Sequence, residues 1–139
     1  NSRFMMLGMS NPSLTCNMKI ESIDLFNSWW LVYHLEHTGD NLKSIAKRML
    51  DEKVSLDVKK KLSPVLIQIK SLYERALKSF YENDKKLAFE VMEEGKKVYA
   101  QCEALTKEKN VFLGLAGEKL KEVNNASYQI VKIISYTKK

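Results

Sequence analysis

Two carboxylates one helical turn apart, Glu36 and Asp40, are the residues of this chain whose types and spacing come nearest to chemistry. They stand in Leu35-Glu36-His37-Thr38-Gly39-Asp40-Asn41-Leu42-Lys43-Ser44-Ile45-Ala46, inside a longer helical pattern. Side chains at i and i+4 leave a helix on the same face. Two oxygen donors so placed suit a hard or borderline cation such as magnesium, zinc or iron, if water or other helices supply the remaining ligands. His34 and His37 are close by, but His37 follows Glu36 directly and so projects about 100° away around the helix. The rival reading is a solvated acidic face, with Glu36 balanced by Lys43 or Lys47 further along the same helix.

Other reactive types offer less. Cys16 and Cys102 are far apart and show no ligand spacing, which points to free thiols in a reducing compartment, and so to the cytoplasm, rather than to a disulfide or a zinc site. Cys102 falls on an apolar stripe, where a small buried thiol fits better than a nucleophile. No Ser-His-Asp arrangement, glycine-rich phosphate loop or paired general acid is visible, so no enzyme is expected. Trp29, Trp30 and Tyr33 have the spacing of core aromatics. Adjacent tryptophans cannot both face one interior, which leaves one for a second bundle, a dimer contact or a partner. Asn124-Asn125 is a polar break in the last helix, read as a core amide that sets register.

The elements that carry these residues follow from composition. The chain has 139 residues with 45% apolar content, enough for one domain or one and part of another. It contains only 2 prolines and 5 glycines, while Lys, Leu and Glu, all good helix formers, are among its commonest residues. An all-α fold is expected. The formal net charge of +6 comes almost wholly from scattered lysines, with arginine only at positions 3, 48 and 75. That pattern fits a solvated basic surface better than a nucleic-acid interface. No apolar run is long enough to span a membrane. The apolar start, Asn1-Ser2-Arg3-Phe4-Met5-Met6-Leu7-Gly8-Met9, has no cleavage signal. Because it opens without methionine, residue 1 is expected to be either an engineered start or the start of the ordered part of a longer protein.

Period and punctuation predict four helical stretches. After a turn at Ser10-Asn11-Pro12-Ser13, the first covers residues 22–50, with Phe26, Trp29, Trp30, Tyr33, Ile45, Ala46 and Met49 inward. The second covers residues 56–82 with a kink or restart at Ser63-Pro64, where serine would cap and proline would fill the first turn. Its stripe is Leu62, Val65/Leu66, Ile69, Tyr73, Ala76 and Phe80. Asn83-Asp84 ends it and caps the third, residues 85–107, whose Gly95 is read as a close approach to a neighbouring helix. The fourth covers residues 111–136, with Phe112, Leu115, Val123, Ala126, Ile130 and Ile133/Ile134 inward. Short connections between long amphipathic helices give an antiparallel helical bundle.

Three pieces, taken in order, resemble the PhoU family of phosphate-signalling regulators. Leu35-Glu36-His37-Thr38-Gly39-Asp40 with Ile45-Ala46 is similar to that family's Glu-x-x-x-Asp helix. The stretch from Ala76-Leu77-Lys78-Ser79-Phe80 through Asn83-Asp84 to Leu87-Ala88 is similar to its helix-turn-helix corner. The segment from Asn1-Ser2-Arg3-Phe4 to Asn11-Pro12 looks like the end of a preceding helix and its loop. The resemblance implies three-helix repeats, with residues 1–50 the tail of a first and residues 56–139 a second, as in the C-terminal part of an archaeal-type PhoU-like protein. Aligning Leu120 with Leu35 and Ile130 with Ile45 puts Lys121 and Asn125 where Glu36 and Asp40 stand, so the second acidic motif is lost.

The implied function is regulation of phosphate uptake through protein partners, a phosphate transporter or a sensor kinase, by a homodimer in the cytoplasm. A divalent or iron-type metal ion at Glu36 and Asp40 is the implied cofactor. Nucleic acid is not expected to touch these residues, and the membrane is reached only through partners. Two alternatives stand beside this: a generic helical oligomerisation module, and the regulatory domain of a longer DNA-binding transcription regulator.

Overall fold

The computed structural model describes residues 22–136, together with Met6, Leu7, Ser10, Asn11 and Ser13. Within residues 22–136 four helices follow one another: α1 (Ser22–Asp51), α2 (Leu56–Glu82), α3 (Lys85–Thr106) and α4 (Val111–Tyr136). No strand occurs among the described residues, so the all-α expectation is met. The chain divides into two compact units, Asn1–Glu36 and His37–Lys139, with the division falling inside α1. In the first unit, Ser13 N–H donates to Asn11 Oδ1 at 3.2 Å, a local turn at the expected place. Cys16, Pro12 and most of the segment expected to end a preceding helix lie outside the described residues.

In the second unit α2, α3 and α4 pack mutually. Arg75 on α2 pairs with Glu90 and Glu94 on α3, while Lys61 near the start of α2 reaches Glu108 just past the end of α3 at 2.9 Å. These pairings run in opposite directions along the two helices, so α2 and α3 are antiparallel, as their two-residue connection requires. The corner between them forms where the sequence places it. Asn83 adopts a left-handed conformation (φ 51°), which asparagine tolerates better than most residues. Asp84 then caps α3, its carboxylate accepting from Leu87 N–H at 3.0 Å.

The second helix differs from expectation. It runs unbroken through Pro64 and is capped by Ser55, whose side chain accepts from Val58 N–H; Ser63 is an interior residue. Pro64 is exposed, on the side of the helix where water can take up the carbonyl that proline leaves without its usual donor. The buried stripe is Leu62, Val65, Ile69, Leu72, Ala76 and Ser79. Leu72 and Ser79 thus take the inward positions expected of Tyr73 and Phe80. Ser79 is accommodated because its hydroxyl donates to Ala76 O at 2.8 Å within its own helix.

α4 is the central element. Leu113, Leu120, Val123, Ile130, Val131 and Ile134 on it are all essentially inaccessible. They cover more than one face of the helix because α4 packs against both α2 and α3. The tight approach of α3 and α4 lies at Gly117, where a Cβ would stand 2.8 Å from Cys102 O and 2.9 Å from Thr106 N. At Gly95, the position expected to need glycine for packing, a Cβ would meet only ordinary contacts, 3.6 Å from Asn124 Oδ1 and 3.7 Å from Leu72 Cδ2.

Gly117→Ala therefore has to push backbone apart, and urea denaturation should register a loss of about 1–3 kcal/mol. Gly114→Ala is the matched control, since its Cβ would sit 3.7 Å from Thr106 O. It should gain up to about 1 kcal/mol from helix propensity.

Candidate functional site

The inward stripe of α1 is more polar than the sequence suggests. Leu31, His34, Thr38, Asn41 and Ile45 are buried, at alternating spacings of three and four. Phe26, Tyr33 and Ala46, expected inward, are exposed. Trp29 and Trp30 are both partly exposed, and the rings of Phe26, Trp29, Trp30 and Tyr33 lie against one another with centroids 5.9–6.0 Å apart. This aromatic ridge lies within the first unit.

Within the second unit, residues 37–51 meet the bundle partly through a hydrogen-bonded seam to α4. His37 Nε2 lies 2.8 Å from Glu122 Oε2, and Asn41 Nδ2 donates to the same oxygen at 3.0 Å. Asn41 Oδ1 accepts in turn from Lys119 Nζ at 3.3 Å. The Asn41 amide is the largest influence on Glu122 and holds its carboxyl below the ordinary glutamate range. Partial burial opposes that shift, and His37 and Lys119 add to it. Burial likewise pushes the Tyr73 hydroxyl up, with Thr38 opposing.

Glu36 and Asp40 are both exposed on α1. Among the described residues, no group of three or more His, Cys, Asp or Glu side chains converges as a metal site would require. His37, their nearest nitrogen ligand in sequence, is turned to Glu122. Cys102 is fully buried, and burial raises its thiol to about 11, as the apolar stripe implies.

A more developed site lies elsewhere, in a groove of about 640 Å³ between α3 and α4 with Leu72, Val91, Gly95 and Asn124 among its lining residues. Asn124 is only 6% exposed, and its Nδ2 donates to Gly95 O at 3.2 Å. Its Oδ1 has no hydrogen-bond partner. Tyr99 and Met92 line the groove from α3, and Lys121, Asn125 and Tyr128 from α4. Lys121 Nζ sits 5.9 Å from the centre of the Tyr99 ring and pairs with Glu118 at 2.8 Å, a contact that raises its pKa. Lys121 and Asn125, which the expected repeat would align with Glu36 and Asp40, lie on the wall of this groove. Asn124 as a core amide was legible in the sequence; its unpaired oxygen and the opening beside Gly95 were not.

No protein-family model matches this chain, and no curated protein or solved structure matches it either. No helix among the described residues is long and apolar enough to cross a membrane.

Glu122 has a depressed pKa when folded, so its stabilising contribution is present above its unfolded value and is lost as pH falls through the folded one. Glu122→Gln should therefore flatten the acid limb of a melting-temperature profile below about pH 4.5 while leaving the neutral limb nearly parallel to the parent. For Cys102, a Cys16→Ser chain should react with a thiol-specific disulfide reagent only at its unfolding rate. A fast phase in native buffer would contradict the burial of that thiol.

Proposed function

We propose that this chain is a PhoU-like regulator of phosphate uptake that acts in the cytoplasm by contact with components of a phosphate transporter or sensor kinase. The observation that carries the contact mechanism is an apolar hollow of about 320 Å³ on the second unit, lined by Leu42, Ile45, Ala46, Met49 and Leu50 of α1 and Leu66 of α2. Leu42 and Leu50 remain 39% and 77% exposed. Such a surface suits an apolar helix from a partner, whose burial supplies about 25 cal/mol for each Å² removed from water. The acid-bearing helix and the corner at Asn83-Asp84 support the family reading.

A homodimer is part of the proposal, with the same hollow available to a second copy. The resemblance also implies an ion at Glu36 and Asp40. Two exposed carboxylates supply few of the ligands such an ion takes, so contact rather than metal chemistry is the proposed mechanism.

Leu42→Lys combined with Leu50→Glu should leave the melting transition within about 0.5 kcal/mol of the parent, because both side chains face water. In cells that rely on this protein, the double variant should relax control of phosphate uptake as fully as deletion of residues 37–139 does. Normal control in the deletion strain would refute the regulatory reading. Normal control in the double variant alone would move the contact surface elsewhere. Sedimentation of the same variant reads whether the hollow also holds the dimer together.

A further inference from the structure

The apolar hollow proposed above as the contact surface is rimmed by lysines, and on that reading the rim restricts the partner. Leu42, Ala46, Met49 and Leu50 line the hollow from α1. At about 100° per residue, Lys43 and Lys47 follow Leu42 and Ala46 on the side turned away from buried Asn41 and Ile45. On α2, Lys59 and Lys70 lie within about 40° of Leu66 around the helix axis. The short connection after Asp51 turns α2 back along α1 from Leu56 onward. Lys59 therefore falls toward the Leu50 end of the hollow and Lys70 toward the Leu42 end.

All four lysines are exposed. Lys70 lies 3.8 Å from Glu74, while Lys43, Lys47 and Lys59 have no ion-pair partner among the described residues. Asp40, the acid nearest in sequence to Lys43, stands further round α1 from the hollow than either lysine of that helix. The hollow thus has an apolar floor with cationic flanks on both sides. A bilayer is flat on this scale and leaves a hollow unfilled, whereas a helix is convex and fills one. A second copy seated by the same face sets lysine against lysine across the two-fold axis, so a dissimilar chain fits better. We propose that the hollow receives an amphipathic helix of an acidic partner protein. Its apolar stripe lies on Leu42, Met49 and Leu66, and carboxylates on its flanks meet Lys43 and Lys47 on one side, Lys59 and Lys70 on the other.

The probe is a displayed library of helical peptides with a fixed leucine stripe and randomised flanking positions. Peptides that bind the full chain are counter-selected against Leu42→Lys with Leu50→Glu, a variant of unchanged net charge that spoils only the hollow. What remains should carry aspartate and glutamate on its flanks. Lys43→Glu, Lys47→Glu and Lys59→Glu together should weaken those peptides roughly tenfold, the sum of several exposed pairs. The same variant should select lysine and arginine flanks instead, a reversal that a damaged fold cannot produce. Because all three lysines face water, its melting transition should match the parent. Neutral or basic flanks on the parent, or flanks unchanged by the charge reversal, overturn the proposal. So does a selection that yields no hollow-dependent peptide. Binding of phosphatidylglycerol vesicles by the parent and not by the double variant gives the surface to a bilayer, and overturns it too. Self-association with that same dependence gives the surface to a second copy, with the same consequence. Selection in vitro involves no phosphate uptake, so normal control in the deletion strain refutes the regulatory reading while leaving this one standing.

Discussion

The second unit depends on how closely α3 and α4 approach at Gly117. A helix pair separated only by a glycine on one side and backbone on the other has no slack, so that contact sets the spacing for everything packed above and below it. Cys102 and Thr106 on α3 are the residues facing that glycine, and the small, fully buried Cys102 suits such a crossing. Moving along α4 from Gly117 toward its C-terminus, the helix pair reaches Asn124 and Gly95, where larger groups stand aside and the groove opens. Tight contact at one level and an open groove at another are two consequences of one rigid pairing.

The remaining face of α4 meets α1 on different terms. Between residues 37–51 and α4 the described polar contacts are His37 with Glu122, Asn41 with Glu122, and Lys119 with Asn41. His37 and Glu122 are separated by 85 residues, the same register that aligns Glu36 with Lys121 and Asp40 with Asn125. Thus the residue after Glu36 meets the residue after Lys121. Polar seams of this kind add less to stability than an apolar one of equal area, but they specify which residues meet, because each donor must find its acceptor. Such a helix can leave apolar side chains facing outward, and Leu42 and Leu50 do so.

The two candidate surfaces of this unit are therefore chemically distinct. The hollow at Leu42, Ile45 and Leu66 is almost wholly apolar and suits a helix face. The groove at Gly95 and Asn124 is lined by Met92, Tyr99 and Tyr128 together with paired charges, and so is the more polar of the two. Glu36 and Asp40 belong to neither.

Sequence alone determined the helices and their ends, because these depend on local chemistry. Few breakers, amphipathic period, Asp84 as a cap and Asn83 as a left-handed stop all act within a few residues, and α4 begins and ends where its pattern does. Tertiary structure decided which residues on each helix face inward. Apolar counting selected Phe26 and Tyr33 on α1, yet Thr38 and Asn41 are buried, since side chains from another helix can satisfy or cover polar groups that look solvent-facing in isolation. The same holds for glycine: Gly95 and Gly117 look alike along the chain, and only the neighbour opposite makes Gly117 a close backbone approach and Gly95 a site of ordinary contacts. Glu36 and Asp40 had the spacing of ligands, but spacing along one helix supplies two donors at most. Further ligands come from water or from elsewhere in the fold, and no group of three or more His, Cys, Asp or Glu side chains converges among the described residues.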